Sequence, residues 1–113
     1  MKLRLRSPLQ LARQLLVQAR REPEAVEEYL DAHSEEWEAL AEAAPGAAAA
    51  ILEELDDEAL SDLIGDLDPA EAADILVELH PGVAADLLEE LSPSDAAALL
   101  EEMSPEDAAD ILV

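Results

Sequence analysis

Apolar and polar positions repeat with a period of twelve residues through most of this chain. The clearest copies read DPAEAADILVEL, HPGVAADLLEEL, SPSDAAALLEEM and SPEDAADILV. Within each copy the apolar residues recur at the fifth, eighth, ninth and twelfth places. That is the i, i+3, i+4, i+7 spacing of an amphipathic helix with one buried side. Each copy is therefore predicted to form one short helix.

The repeat divides the chain from residue 44 onward into six units. These are 44–55, 56–67, 68–79, 80–91, 92–103 and the incomplete 104–113. Proline stands at the second place of five units, where a helix tolerates it because the first turn leaves that N–H without a partner. Asp57 takes this place in the remaining unit. Asp68, Ser92 and Ser104 stand at the first place, and each is suited to cap its helix by accepting a bond from a free backbone N–H.

These units predict an all-α protein, a superhelical solenoid of short antiparallel helices. A helix of about ten residues is roughly 15 Å long and marginal by itself in water. The apolar side of each unit therefore needs its neighbours to cover it. Alanine pairs such as Ala72 with Ala73, and Ala108 with Ala109, would let neighbouring helices approach closely.

The residues before the repeats are less regular, but their pattern is also helical. Residues 8–21 are predicted to form one helix, and the segments PEAVEEYLDA and SEEWEALAEA are predicted to form two more. Leu30, Trp37 and Leu40 would form the buried side of these two segments. Trp37 is interpreted as a packing anchor over the first repeat.

Charge is distributed as unevenly as hydrophobicity. The 113 residues include 6 Lys and Arg against 29 Asp and Glu, which gives a formal net charge of −23. All basic residues lie within positions 1–21, and all acidic residues lie from Glu22 onward. Such an acidic body repels nucleic acid and anionic membrane and attracts cations or basic partners. A merely solvating, salt-adapted surface is the alternative.

Pattern and charge together predict three segments. They are a basic N-terminal arm and helix at 1–21, an acidic helical cap region at 22–43 and the repeats at 44–113, with the last two forming one domain. The basic arm could fold back on the acidic body. Alternatively, its leucines and basic side chains could touch an anionic membrane surface.

Several classes of function are disfavoured by what the sequence lacks. With no cysteine there is no disulfide and no thiolate chemistry, which fits a cytoplasmic protein. No apolar run reaches the roughly 18 residues that cross a bilayer, and the start does not resemble a secretory signal. His33 and His80 do not pair at ligand spacing, and no residues are placed for a catalytic triad or a phosphate loop. We therefore expect no enzymatic activity.

Acidic pairs four residues apart on one helix face could share a hydrated Mg²⁺. The ion takes six oxygen ligands at about 2.1 Å but usually keeps several waters, so one or two carboxylates suffice. In this repeat such a pair falls at the third and seventh places of a unit. Both places are acidic in Glu58 with Asp62 and in Glu106 with Asp110. The further candidates, as outer-shell or alternative ligands, are Asp57, Asp66 and Asp107.

The repeated phrase resembles the intracellular N-terminal domain of MgtE-type magnesium transporters. The phrase is Asp or Ser, Pro, two variable residues, Ala-Ala-Asp, Ile or Leu, Leu, Glu-Glu and Leu, and it stands here as DPAEAADILVEL and SPEDAADILV. The resemblance implies a superhelix of short helices on the cytosolic side, beside a pair of CBS domains and a membrane pore. It also implies that Mg²⁺ binds acidic residues between the cytosolic modules and favours the closed pore. DEALSD, residues 57–62, resembles the repeat that carries the family's interface ligands, which places Glu58 and Asp62 ahead of the other pair.

The function implied is that of a cytosolic regulatory domain, magnesium-sensing and gating, which is not itself a pore. We expect weak Mg²⁺ binding, in the millimolar range, because the family's other ligands come from the CBS side. The same phrase occurs in the flagellar rotor protein FliG and the stator chaperone MotE. A protein-interaction scaffold of that type, or a standalone acidic helical-repeat binding module, is therefore the alternative.

The sixth unit stops before its twelfth place and would leave an apolar edge. We expect either an excised domain or an edge that a protein partner covers, and a homodimer is one such arrangement.

Overall fold

The computed structural model describes residues 7–112, and every regular element in that part is an α-helix. The prediction of an all-α fold is confirmed. The described helices are α1 (Pro8–Arg21), α2 (Pro23–Ala32), α3 (Ser34–Ala43), α4 (Pro45–Leu52), α5 (Asp57–Gly65), α6 (Pro69–Glu78), α7 (Pro81–Glu90), α8 (Pro93–Glu102) and α9 (Pro105–Leu112). The part of the predicted basic arm at residues 1–6 lies outside the described residues.

The helices of the repeat region begin where the sequence predicts. Five begin at the repeat prolines and α5 begins at Asp57. The Oδ1 atom of Asp68 accepts a hydrogen bond of 3.0 Å from the backbone N–H of Glu71. The hydroxyls of Ser92 and Ser104 accept the equivalent bonds at 3.3 Å and 3.2 Å. These three predicted caps are therefore present. The expectation that Ser34 caps α3 is wrong, because Ser34 is the first residue of that helix and His33 precedes it without a side-chain cap bond.

The predicted apolar stripe forms the core of the repeats. In the first three units all four stripe positions are buried. In the fourth unit Leu91 is only partly buried, and in the fifth unit the same holds for Ala96 and Leu100. Burial therefore loosens toward the C-terminal repeats.

Repeat helices pack mainly against their second neighbours along the chain. Helices α4, α6 and α8 contact one another in one row, and α5, α7 and α9 do so in a second row. Among consecutive repeat helices of the described part, only α6 and α7 make substantial contact. The junction between α7 and α8, which make no such contact, is two residues, Leu91 and Ser92, with ψ angles of 157° and 153°. A residue before proline is held in this extended region, so the next helix leaves in a different direction. The apolar stripe of each helix therefore packs against the stripe of the helix two units further along the chain.

The alanine pairs follow this arrangement. Ala72 and Ala73 on α6 are buried, as predicted, because α6 lies between α4 and α8. On α9, Ala108 is partly buried and Ala109 is exposed. The equivalent pair on α4, Ala48 and Ala49, is also buried, so the alanine pair loses its cover only toward the C-terminal repeats.

The N-terminal helices cover the first repeats. Helix α1 packs against α2, α3 and α4, helix α3 packs against α4 and α6, and α2 contacts α5. Trp37 on α3 has no exposed surface, and its indole Nε1–H donates a hydrogen bond of 2.9 Å to the backbone carbonyl of Leu63. Leu30 and Leu40 are also buried, so the predicted buried side of α2 and α3 is confirmed.

The molecule measures 41 × 22 × 20 Å. None of the helices in the described residues is long and apolar enough to cross a membrane.

Candidate functional site

An acidic cleft of about 330 Å³ lies between α2 and α5. Six of its lining side chains are carboxylates, and Ala59 and Leu63 supply the apolar remainder. Three carboxylates come from α2, and three come from α5 and its cap. They are Glu27, Glu28 and Asp31, and then Asp56, Glu58 and Asp62. We call this the α2–α5 cleft.

The local sequence of α5 explains why the predicted pair faces the cleft. Asp56 starts the helix by accepting a bond of 2.9 Å from the N–H of Ala59. The apolar side of α5 is buried through residues such as Leu60. Glu58 and Asp62 are one turn apart on the exposed part of the helix, and both line the cleft. The structure therefore brings the first predicted pair together with carboxylates of another helix.

Glu27 on α2 is hydrogen-bonded to Asp56, the residue that caps α5. The Oε2 atom of Glu27 accepts a long hydrogen bond, 3.5 Å, from the backbone N–H of Asp56. Burial raises the pKa of the Glu27 carboxyl above its ordinary value, against the lowering effect of that bond. The charges of Asp56, Glu24 and Glu58 raise the pKa further. Carboxylates of both helices thus repel one another in this region.

The other predicted ligands do not line the cleft. Glu106 and Asp110 lie exposed on α9, whose main contact is with α7. Asp57 is exposed at the first residue of α5, and Asp66 is exposed just beyond its last. Asp107 is partly buried near the start of α9. For these five residues a role in metal binding stays a prediction.

The α2–α5 cleft does not form a complete metal site by itself. Among residues 7–112, no group of three or more His, Cys, Asp or Glu side chains is placed to hold a metal ion. One or two carboxylates are enough for a magnesium ion that keeps most of its water. Binding of a hydrated ion by Glu58 and Asp62 therefore stays a prediction, as it does for the other candidate ligands.

Four carboxylates of the cleft were missed by the sequence analysis, namely Glu27, Glu28, Asp31 and Asp56. Glu27 and Asp31 have the same four-residue spacing as the predicted pairs, so a search outside the repeats would have found them. Nothing in the sequence pairs α2 with α5, however, because α2 lies outside the repeat.

Both histidines make structural contacts. The ring of His33 stacks on Tyr29 with centroids 4.2 Å apart. The Tyr29 hydroxyl donates a bond of 2.6 Å to Glu36 on α3, and burial together with this carboxylate raises the pKa of Tyr29 to about 12. His80 donates its backbone N–H to Glu53 at 2.9 Å, which ties the start of α7 to the end of α4. Neither histidine lines the cleft.

Helix α1 meets the acidic body through a side-chain ion pair. The Nε atom of Arg20 lies 3.7 Å from the Oε1 atom of Glu54. The two side chains are 64% and 37% exposed, so the pair contributes little to stability. Packing of α1 against α2, α3 and α4 is the larger attachment.

Capped twelve-residue helical units with acidic outer faces define a helical-repeat module. The family model for the MgtE intracellular N domain matches residues 43–113, which is well over half of the chain. The chain therefore belongs to this family, the cytosolic N-terminal part of MgtE-type magnesium transporters. A search of curated proteins and a search of solved structures each gave no significant match.

Proposed function

We propose that this chain is the magnesium-responsive regulatory domain of an MgtE-type transporter, and that the α2–α5 cleft is the part that responds. Family membership supports the transporter context. The observation that carries the proposal is the convergence of carboxylates from two helices on a cleft that includes Glu58 and Asp62.

The physical basis of the response is repulsion between like charges. Two unit charges about 4 Å apart interact by about 1 kcal/mol in bulk water and by about 4 kcal/mol near a protein surface. The raised pKa of Glu27, to which Asp56 and Glu58 contribute, supports such repulsion between α2 and α5. If Glu58 and Asp62 hold a hydrated divalent cation, their charge is neutralised and α2 is attracted to α5 instead of being repelled.

A weak site suits regulation. A sensor must remain unsaturated at low ion concentration, and a cleft with no group of three or more ligands among the described residues is compatible with this. The remaining ligands would come from a neighbouring module, for which we propose the CBS domain pair beside the pore. By linkage, a neighbour that completes the site tightens ion binding by the same factor by which the ion tightens docking.

Thermal unfolding followed by circular dichroism tests the proposal. NaCl is exchanged for MgCl₂ at constant ionic strength, up to about 20 mM, and CaCl₂ is run in parallel. Site binding raises the free energy of unfolding by RT ln(1 + [L]/Kd), about 1.4 kcal/mol at ten times Kd. The test variant is Glu58→Gln/Asp62→Asn. The matched control is Glu106→Gln/Asp110→Asn, which removes two charges at the same spacing from α9.

The expected result is a magnesium-dependent rise in Tm that the test variant loses and the control keeps. A rise lost only in the control variant would move the site to α9 and overturn the assignment to the cleft. If NaCl, MgCl₂ and CaCl₂ of equal ionic strength stabilise all three proteins equally, there is no ion site, and the acidic side chains are only a surface whose repulsion salt screens.

A second candidate, a protein-binding scaffold, is favoured by the looser burial of the C-terminal repeats. Leu91 and Leu100 stay partly exposed, whereas the stripe positions of the first three units are buried. Scaffold binding through that edge would not depend on Mg²⁺ or on Glu58 and Asp62. The same set of variants, assayed for partner binding, therefore separates the two functions.

A further inference from the structure

One side of helix α1 is buried and the other side is exposed. One side is buried against α2, α3 and α4, and it carries Leu11, Ala12, Leu15 and Ala19. The other side is exposed and carries Leu9, Arg13, Val17 and Arg21. These four residues follow one another at intervals of four, so they form a row about 18 Å long on the helix surface. We call this row the outer face of α1.

The apolar members of the outer face are unusually exposed. Leu9 is 55% exposed and Val17 is 53% exposed. In the described part of the chain, Val77 on α6 is the one other large apolar side chain exposed to a similar degree, at 40%. Two of the three thus lie on one row of one helix.

The charge of the outer face is opposite to that of the rest of the molecule. Helix α1 contains Arg13, Arg20 and Arg21 and no acidic residue. Within residues 7–112, Arg20 forms a side-chain ion pair with Glu54, and Arg13 and Arg21 form none. The charges of Arg13 and Arg21 are therefore available to an external partner. The other basic residues of the sequence, Lys2, Arg4 and Arg6, come directly before this helix.

We propose that the outer face of α1 docks the protein on an anionic lipid surface. Cationic side chains interleaved with exposed apolar ones on one helix face are the pattern of interfacial helices. Anionic lipid headgroups attract such basic segments, and a lipid surface needs no shape-matched pocket. A second copy of the chain is a poorer occupant, because it brings a net charge of −23 of its own.

The acidic body limits this docking without preventing it. Helix α1 contacts α2, α3 and α4, whereas α8 and α9 pack at the other end of the two rows. The molecule is 41 Å long, and charges beyond about 8 Å are largely screened at physiological salt. Docking should therefore be weak, orient the acidic repeats away from the lipid and depend strongly on salt.

Co-sedimentation of the full chain with vesicles tests the proposal. One set is phosphatidylcholine alone, and the other contains about one third phosphatidylglycerol. EDTA is present throughout, so the outcome does not depend on the magnesium proposal. At low salt we expect about tenfold more bound protein on the anionic vesicles, with the difference lost at about 0.5 M salt.

Three variants locate the contact. Arg13→Gln/Arg21→Gln should abolish binding, and Leu9→Ser/Val17→Ser should reduce it at unchanged charge. Ser94→Asp/Ala97→Asp is the control for charge, because it makes the same change in net charge at exposed positions of α8. Val77→Ser is the control for lost apolar surface. Both controls should bind as the wild type does.

Three outcomes would overturn the proposal. The first is no preference for anionic over neutral vesicles. The second is equal loss of binding in the arginine variant and its charge control, which would make net charge the only determinant. The third is self-association in sedimentation equilibrium that the arginine variant abolishes while vesicles are not bound, which would make a second copy the occupant.

Discussion

Trp37 is the residue that joins the irregular N-terminal helices to the repeats. The last carbonyl groups of a helix have no hydrogen-bond partner within it. At the end of α5 the carbonyls of Asp62 and Ile64 accept hydrogen bonds from the backbone N–H groups of Asp66 and Leu67, respectively. In the same turn the carbonyl of Leu63 accepts a hydrogen bond of 2.9 Å from the indole N–H of Trp37. Because Leu63 also lines the α2–α5 cleft, this bond ties α3 to the helix that forms one side of the cleft.

Replacing this indole tests its role. Trp37→Phe keeps an aromatic ring but removes the N–H donor, which leaves a carbonyl without its partner at a cost of about 1–3 kcal/mol. The smaller ring leaves a cavity that adds to this loss. Urea unfolding followed by circular dichroism should show a lower midpoint with an unchanged slope. Tyr29→Phe, which removes a partly buried hydroxyl bonded to Glu36, is the control and should cost less. A loss in Trp37→Phe no larger than that in Tyr29→Phe would contradict the role assigned to the indole.

The sequence predicted the burial of Trp37 but not its hydrogen bond. Trp37 and Leu40 were expected on the buried side of α3, and Leu30 on that of α2. A backbone carbonyl such as that of Leu63 has no signature in a side-chain pattern, since every residue has one. Its availability follows from where α5 ends, and that end lies at Gly65, earlier in its unit than the ends of α6, α7 and α8.

Capping decides where each repeat helix begins. The hydroxyl of Ser92 accepts a bond from the N–H of Asp95, three residues on, in the usual geometry of an N-cap. Ser94 lies two residues later, is exposed and stands within α8. The two serines therefore allow the same chemical change to be made at a cap and beside it.

Ser92→Ala should lower the free energy of unfolding by about 1 kcal/mol, within the range of 0.5–2 kcal/mol typical for lost caps. Ser94→Ala should leave the free energy unchanged or raise it by up to about 0.5 kcal/mol, because alanine has the higher helix propensity. Both variants keep the net charge, so electrostatics do not separate them. Equal values in urea unfolding would mean that proline alone fixes the start of α8.

Helix positions could be predicted from the sequence, whereas helix pairing could not. Prolines and caps mark the starts, and the apolar stripe marks the buried side. The pairing of second neighbours depends on extended junctions such as Leu91 with Ser92, which set the direction in which the next helix leaves. Likewise, Glu58 and Asp62 were predicted as a pair, but their meeting with Glu27 depends on the packing of α2 against α5.

At the scale of the whole molecule, the dominant feature is an acidic body whose carboxylates crowd one another. Two of them have a raised pKa for the same reasons. Burial raises the pKa of Glu27 and Glu71, and neighbouring negative charges, including Asp56 at the first and Asp68 at the second, raise both further. The two residues lie on different helices, α2 and α6, so crowding is not confined to the cleft.

These shifts predict that the protein becomes more stable on mild acidification. Glu27 and Glu71 take up protons at higher pH in the folded protein than in the unfolded chain, so protonation favours folding. The contribution is absent above the folded pKa, grows as the pH falls through it, and is complete below the unfolded value near 4.5. Tm measured at fixed ionic strength should therefore rise as the pH is lowered from neutral toward 4.5. The measurement stays above the pI of about 4.1, where loss of net charge promotes precipitation.

The double variant Glu27→Gln/Glu71→Gln should show a smaller dependence of Tm on pH than the wild type. Its matched control is Glu101→Gln/Glu102→Gln, which removes two charges from exposed positions on α8 and should retain most of the dependence. A Tm that falls on acidification, or a dependence equal in all three proteins, would contradict the assignment to Glu27 and Glu71. The magnesium proposal would then lose its energetic basis as well, since a divalent ion can draw α2 to α5 only by relieving a repulsion that protonation of Glu27 would also relieve.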